Sequence, residues 1–185
     1  MKVSAIVLSV ITLIAASVFS VAMLTAGGQE TFVGNTKHAR KLYLEVLDLA
    51  EKYNWPWFWS AAHTNLGELC REDKEYEAAC RHYEEAIRVT SDPLWISNAL
   101  SNLGAAAIKL DDVARAAESF RKAYALARPV KDRAMTNIAL GGLGYVFVKV
   151  GRFREAGLLM GYPEAFRKRS GKPDGSSIVA EFCHC

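Results

Sequence analysis

The residues best suited to chemistry lie at the C-terminal end of the chain, which finishes with Cys183, His184 and Cys185. Thiolate and imidazole groups are the ligands that zinc prefers. A closed zinc site takes four ligands, in pairs spaced more widely than these three residues. An inert tail, a metal- or redox-responsive tail and a lipidated tail are therefore alternative interpretations of this motif.

Elsewhere the sequence offers no recognised arrangement of catalytic groups. The other histidines, His38, His63 and His82, do not stand at a catalytic or metal-binding spacing. Cys70 and Cys80 are predicted to be buried thiols, with a disulfide between them as an alternative in an exported protein. The sequence contains no phosphate-binding loop and no nucleophile elbow. We therefore expect a non-catalytic protein that uses no cofactor and no metal.

The charge of the chain argues against nucleic acid as a partner. The formal net charge is +3 over 185 residues, and like charges do not cluster beyond a short basic run at Arg167-Lys168-Arg169. Binding to a phosphate backbone needs a concentrated patch of lysine and arginine. We therefore expect a protein or peptide partner and no nucleic acid.

The N-terminal segment is long and apolar. Residues 3–26 carry no charged side chain, and Lys2 precedes them. The run exceeds the roughly 7–15 apolar residues of a usual signal peptide, and it is long enough to span a bilayer as a helix. Small residues suited to cleavage occur at Ser20-Val21-Ala22 and from Ala22 to Ala26. We predict a signal peptide or a membrane anchor over residues 1–26, and hence an exported or membrane-anchored protein. A buried helix of a soluble fold is the less favoured alternative.

A pattern of small and large residues recurs between Ser60 and Met160. It consists of a Leu-Gly pair, an alanine twelve residues after the glycine and a large apolar residue four further on. The three copies are Leu66-Gly67, Ala79 and Tyr83; Leu103-Gly104, Ala116 and Phe120; and Leu143-Gly144, Ala156 and Met160. The copies are 37 and 40 residues apart, a period that predicts stacked helical hairpins. Small residues mark the place where two helices cross closely, and the large residue fills the groove beside the crossing.

This pattern resembles the tetratricopeptide repeat family, whose repeats carry Leu-Gly in the first helix and alanine with a large apolar residue in the second. The resemblance implies an all-α, right-handed solenoid of helical hairpins. Met160 and Pro163 depart from the family pattern in the third copy, and the usual tryptophan position holds His63, Leu100 and Leu140. The resemblance covers about 55% of the chain and does not name a partner.

The repeat register and the local turn signals together predict the domain boundaries. Gly27-Gly28-Gln29-Glu30 is typical of a linker, and Ala39, Tyr43 and Val46 repeat the second-helix pattern of the next block. The predicted segments are a signal peptide or anchor at 1–26, a linker at 27–36, a half-repeat or capping helix at 37–54, three repeats at 55–91, 92–128 and 129–162, and a flexible tail at 163–185.

Several residues at the block junctions favour these boundaries. Asp92-Pro93 and Asp111-Asp112 are predicted helix starts, Pro129 opens the third block, and Gly151 marks a hairpin turn. The aromatic run from Trp55 to Trp59 is predicted to pack between the capping helix and the first repeat. A membrane-interface belt or a ligand-stacking site is the alternative.

The resemblance also implies that the first helix of each block lines a concave groove. The predicted partner-binding residues are Asn65, Glu68, Arg71, Asn98, Asn102, Lys109, Tyr145 and Lys149. Asn65 and Asn102 hold the same position in successive blocks, and an amide can pair with a peptide backbone without reading its side chains. The alternative is that these two amides bond only to neighbouring helices or to water. Family members that hold a terminal carboxylate use lysine, asparagine and arginine at positions that here contain Thr64, Glu68, Asn102, Ile138 and Gly142. Only Asn102 fits, so we exclude that ligand class.

The sequence therefore predicts a non-catalytic scaffold or adaptor that binds a peptide or a helical partner in this groove. Self-association through apolar end faces is the first alternative, because a short stack exposes such faces. A metal- or redox-responsive regulator acting through Cys183, His184 and Cys185 is the second.

Overall fold

The helices begin and end where the sequence supplies caps, prolines and left-handed residues. A computed structural model describes residues 2–159, and these residues form helices joined by short turns, without any strand. The helices are α1 (Lys2–Phe32), α2 (Thr36–Tyr53), α3 (Pro56–Glu72), α4 (Tyr76–Val89), α5 (Pro93–Lys109), α6 (Val113–Ala127), α7 (Arg133–Lys149) and α8 (Phe153–Leu159). The chain divides into unit 1, residues 1–90, and unit 2, residues 91–185.

Unit 1 contains two antiparallel hairpins, α1–α2 and α3–α4. A Cβ added to Gly27 of α1 would lie 2.4 Å from the ring of Tyr43 in α2. In the second hairpin, a Cβ added to Gly67 of α3 would lie 2.6 Å from the ring of Tyr83 in α4. Each glycine thus lets an aromatic ring of the second helix press against the first. The two hairpins share a core in which Tyr43 lies with the buried Leu66 and Leu69.

The α1–α2 hairpin differs from the sequence prediction. Residues 27–32, which the sequence predicts as part of a linker at 27–36, belong to α1, and the chain turns only between Phe32 and Thr36. Gly27 is therefore not a linker residue: it stands 40 residues before Gly67 and makes the same contact with the following helix. The predicted half-repeat at 37–54 has a partner helix, because the last part of α1 packs against it.

Unit 2 repeats the hairpin in α5–α6 and adds α7 and α8. Asp92, Asp112 and Asp132 cap α5, α6 and α7 by accepting hydrogen bonds from backbone amides of the first turn. The third block opens later than predicted, since α7 begins at Arg133 rather than beside Pro129. Gly151 has φ of +77° and supplies the left-handed turn between α7 and α8, as predicted.

The all-α prediction of stacked hairpins is confirmed within each unit. The predicted tail at 163–185 and the repeat residue Met160 lie outside the described residues.

Candidate functional site

The clearest open surface of unit 2 runs along α5 and α7, the first helices of its two blocks. We call it the α5–α7 groove. Asn98 and Asn102 of α5 are half-buried there, and Asn102 Nδ2 donates one long hydrogen bond of 3.4 Å to Asn98 Oδ1. An amide has two donor hydrogens and a carbonyl acceptor, so most of the bonding capacity of this pair is unused within residues 2–159.

An apolar stripe on α7 forms the other side of the groove. Ile138, Tyr145 and Val148 are all exposed, and their helical spacing places them on one face together with Gly141. A Cβ on Gly141 would meet nothing within 4 Å. An exposed apolar stripe on a helix is typical of a protein-binding surface.

Phe120 of α6 packs behind the groove between two glycines. A Cβ added to Gly104 of α5 would lie 2.8 Å from its ring, and a Cβ added to Gly142 of α7 would lie 2.2 Å from it. The ring is thus clamped between α5 and α7, and it holds these two helices at a fixed separation. The groove is for this reason a preformed feature of unit 2.

The groove deepens near the beginning of both helices. A cleft of about 260 Å³ opens there, lined by Leu94, Trp95, Asn98, Asp132 and Met135. Its walls are mainly apolar, apart from Asn98 and the capping carboxylate of Asp132. A cleft of this size suits one large apolar side chain of a partner.

The two predicted lysines of unit 2 lie near the ends of α5 and α7. Lys109 is exposed at the end of α5. Lys149 Nζ donates a hydrogen bond of 2.8 Å to Asp111 Oδ1, and this bond raises the pKa of Lys149 above its ordinary value. Lys149 therefore connects the end of α7 to the α5–α6 turn, whereas Lys109 stays available to a partner.

The predicted charged residues of unit 1 form a network with one another. Tyr83 donates a hydrogen bond of 2.7 Å from its hydroxyl to Glu68 Oε1, and Arg71 donates from Nε and Nη2 to Glu68 Oε2. Burial and then the charge of Glu68 raise the pKa of Tyr83 well above its ordinary value. Asn65 is half-buried on the same helix, and no hydrogen bond of its side chain is seen among the described residues.

A pair of histidines that the sequence did not predict lies inside the α3–α4 hairpin. The Nδ1 atoms of His63 and His82 are 2.9 Å apart, so one ring donates a hydrogen bond to the other when both are neutral. Burial, and then the neighbouring His82, lower the pKa of His63 to about 4. Burial also lowers the pKa of His82. The signal in the sequence was that His63 and His82 lie on the two helices of one predicted hairpin, ten residues before and seven residues after the turn at 73–75.

The aromatic run between α2 and α3 is partly packed and partly exposed. Trp55 stacks on Tyr53 with ring centroids 4.8 Å apart, and Phe58 packs against the cluster of Met23, Val46 and Ala62. Trp57 is exposed and meets Phe58 edge-on at 4.7 Å. The interpretation as packing between helices thus accounts for Phe58 and leaves the exposed side of Trp57 unexplained.

The remaining residues singled out in the sequence lack a clustered arrangement. Cys70 and Cys80 are buried. No group of three or more potential metal ligands occurs in residues 2–159, and Cys183, His184 and Cys185 lie outside the described part of the chain.

Comparison with known proteins identifies a family to which the repeated hairpins are similar. A family model described as "Tetratricopeptide repeat" matches residues 62–94 and 99–134. These ranges contain the α3–α4 and α5–α6 hairpins in large part, and most of the third block lies beyond them. A search of curated proteins found no match. The resemblance predicted from the sequence is confirmed, and the general role indicated by such repeats is protein–protein interaction. Residues 62–94 and 99–134 thus form tetratricopeptide repeats.

Proposed function

We propose that this protein is a non-catalytic adaptor whose α5–α7 groove binds an extended or helical apolar segment of another protein. The observation that carries the proposal is the exposed stripe of Ile138, Tyr145 and Val148 on α7, the helix packed beside the one that bears the half-buried amides Asn98 and Asn102. The apolar side would take alternate side chains of the ligand, and the amides would pair with its backbone.

The dimensions of the groove suit a short segment. The helical rise from Ile138 to Val148 is about 15 Å, which corresponds to about five residues of an extended peptide. The cleft at Leu94, Trp95 and Met135 would receive one large apolar side chain at the end of that segment. Ordering a flexible segment costs conformational entropy, so the affinity of this single groove is expected to be modest.

Fewer residues are assigned to the groove here than the sequence predicts. Asn98, Asn102 and Tyr145 line the groove, and Lys109 is placed to meet an acidic residue beside it. Lys149 is paired with Asp111, and Glu68 and Arg71 are paired with each other. A partner at Asn65, Glu68 and Arg71 would therefore have to compete with an existing network, and we assign these three residues a secondary role.

Photo-crosslinking tests the proposal directly. A photoreactive phenylalanine analogue at Tyr145 is expected to crosslink a partner protein in intact cells, whereas the same analogue at the exposed Ala125 of α6 is not. Asn102→Ala should reduce the crosslinked yield at Tyr145 without changing the helical circular-dichroism signal. Equal crosslinking from both positions would contradict the proposed groove. A crosslink to a second copy of the chain would favour self-association.

We also propose that the apolar part of α1 directs the chain to a membrane or an export route. Within residues 2–159, α1 contains the one helix that is long and apolar enough to cross a bilayer, over Ile6–Phe32. Little of its apolar surface is buried in the protein, unlike that of a core helix of a soluble domain. Fractionation of cells after alkaline extraction would place the chain with integral membrane proteins if the segment is inserted.

A further inference from the structure

The helix α1 consists of two parts with different surroundings. From Ser20 onward it enters the core of unit 1, where Ser20, Met23 and Gly27 are buried. Before Ser20, the described side chains are exposed, except that Ala16 and Ser17 are half-buried. The large apolar residues exposed in this part are Ile6, Val7, Leu8, Val10, Ile11, Leu13, Ile14, Val18 and Phe19. An isolated helix that is apolar all round is suited to hydrocarbon and not to water.

No linker separates these two parts. The helix runs without a break from Lys2 to Phe32, and Thr31 near its end contacts the hydroxyl of Tyr43 at 3.3 Å. Cleavage after Ala22 or Ala26, the sites suggested by small residues, would cut inside the helix. The first of these cuts removes Ser20 from the hairpin, and the second also removes Met23. The tertiary contacts of α1 therefore favour a segment that is retained in the mature protein.

The apolar part leaves unit 1 at a defined end. Along α1, Glu30 pairs with His38 at 3.3 Å, Gly27 meets Tyr43, and Met23 packs with Val46. Contacts therefore move toward the C-terminal end of α2 as α1 is followed back toward its start. Beyond Ser20 the helix continues past this end, which is where α2 finishes at Tyr53 and α3 begins at Pro56.

The aromatic run lies at that same end. Phe58, in the first turn of α3, packs against the cluster that contains Met23. Trp55 stacks on Tyr53, Trp57 is exposed beside Phe58, and the amine of Lys52 lies 5.2 Å from the Tyr53 ring centroid. Tryptophan and tyrosine favour the headgroup region of a bilayer, because one part of the ring system is apolar and another forms hydrogen bonds.

The length of the apolar part is consistent with this placement. From Lys2 to Phe19 the helix rises about 27 Å, close to the roughly 30 Å of a hydrocarbon core. If this part occupies the core, Ser20 and the neighbouring aromatic residues come to the headgroup layer. A flexible linker would allow unit 1 to move away from the surface of the bilayer. The continuous helix α1 does not allow this movement.

Building on the proposed membrane role of α1, we infer that α1 is a retained anchor whose second part is the first helix of the first hairpin. The anchor seats Tyr53, Trp55 and Trp57 in the headgroup layer of the bilayer. The occupant of this aromatic surface is the lipid interface, and the adaptor groove of unit 2 belongs to a chain whose unit 1 rests directly on the membrane.

Two measurements on the full chain test this inference. The intact mass of the protein extracted from cell membranes is expected to include residues 1–26, and a mature chain that begins at Met23 or Gly27 would overturn it. The second measurement places Trp57 relative to lipid. Among the four tryptophans, Trp55, Trp59 and Trp95 are replaced by phenylalanine, and the variant is reconstituted in phosphatidylcholine vesicles with acyl chains brominated near the glycerol end.

In these vesicles Trp57 is expected to lose about half or more of its emission, as a tryptophan at the interface should. The matched control is the same variant in vesicles whose acyl chains carry no bromine, where its emission should be kept. Equal emission in the two kinds of vesicle would overturn the inference. Because the triple replacement includes the partly buried Trp59, hydroxyl-radical oxidation of the unmodified chain supplies a second readout. Trp57 should be protected in vesicles compared with the detergent-solubilised chain.

Protection of Trp57 that rises with protein concentration in detergent would show that a second copy covers the surface, and it would overturn the assignment to lipid. Failure of the Trp57 tests with crosslinking at Tyr145 intact would remove only this inference. If crosslinking at Tyr145 is lost while Trp57 is still quenched, the proposed adaptor groove is contradicted and the proposed contact of the aromatic residues with the bilayer is retained.

Discussion

The hairpins α3–α4 and α5–α6 share the same backbone arrangement, but their interiors differ in polarity. Leu66 and Leu103 mark equivalent positions 37 residues apart. At this offset, the paired His63 and His82 of the first hairpin correspond to Leu100 and Ser119 of the second. All four side chains are at least partly buried, so one hairpin places a titratable pair where the other places an apolar residue and a hydroxyl.

The aromatic residue of the second helix shows the same contrast. The hydroxyl of Tyr83 donates a hydrogen bond to Glu68, whereas Phe120 at the equivalent position has no hydroxyl and lies between two glycines. Ala105 stands where Glu68 would be. A closed polar network in the first hairpin is thus replaced in the second by apolar packing. The crossing at small residues therefore defines the hairpin. The residues around that crossing decide whether the surface of its first helix is engaged in hydrogen bonds within the protein or is open to a partner.

The largest expected difference between the two hairpins is in their response to acid. The folded protein holds the pKa of His63 at about 4, below the unfolded value of about 6.5, so the unfolded state binds more protons between these limits. Stability is present above about pH 6.5 and is lost as the pH falls toward 4. We expect α3–α4 to lose about 2 kcal/mol of protection between pH 7 and pH 5, measured by amide hydrogen exchange.

The residues of the second hairpin provide the control for this prediction. The double variant His63→Leu/His82→Ser copies them into α3–α4 and should remove the dependence on pH in this interval. Equal loss of protection in α3–α4 and α5–α6 of the unmodified chain would show that the histidine pair is not the cause.

The glycine clamp around Phe120 should be broken by a single methyl group. Gly142→Ala places a Cβ about 2.2 Å from the ring, and the ring cannot move away because Gly104 closes its other side. Overpacking of this kind costs about 1–3 kcal/mol. The neighbouring Gly141→Ala meets open space and should instead stabilise α7 by up to about 1 kcal/mol, since alanine favours a helix over glycine.

Urea unfolding of both glycine variants checks this prediction. Opposite signs for adjacent glycines would support the clamp, because helix propensity by itself predicts a gain at both positions. A gain in stability for Gly142→Ala would contradict the packing of Phe120 described above.

The smallest expected effect concerns the polar network of the first hairpin. Tyr83→Phe removes the hydrogen bond to Glu68 and should cost about 1 kcal/mol, while Arg71 continues to bind the same carboxylate. Tyr124→Phe in α6 is the control, because no hydrogen bond of the Tyr124 hydroxyl is seen among the described residues. Thermal unfolding should show a lower midpoint for Tyr83→Phe than for Tyr124→Phe, and equal midpoints would mean that the bond to Glu68 contributes no net stability.

The fold could be predicted from local patterns because each hairpin contains the residues that define its own register. The three Leu-Gly pairs, the capping Asp92 and the turn residue Gly151 act over a few residues, and all of them appear in the structure where the repeat places them. The first hairpin was missed because Gly27-Gly28 has the composition of a linker. Its true role depends on contact with Tyr43, sixteen residues further along the chain.

The candidate site was only partly predictable for a similar reason. The repeat register indicated that Asn98, Asn102 and Tyr145 face the same groove, but it could not show that Glu68 and Lys149 bond to residues of other elements. Such hydrogen bonds depend on rotamers and distances that no periodicity encodes. The histidine pair was missed on the same ground.

The sequence by itself determined the helical period, the positions of the close crossings and an apolar N-terminal helix, since these follow from side-chain size, spacing and hydropathy. Only the tertiary structure decided where that helix stops being core and becomes exposed at Ser20. It also decided which polar groups are satisfied internally and which remain open to a partner. Both outcomes depend on what surrounds a residue in three dimensions, because burial and hydrogen bonding are properties of neighbours and not of the chain order.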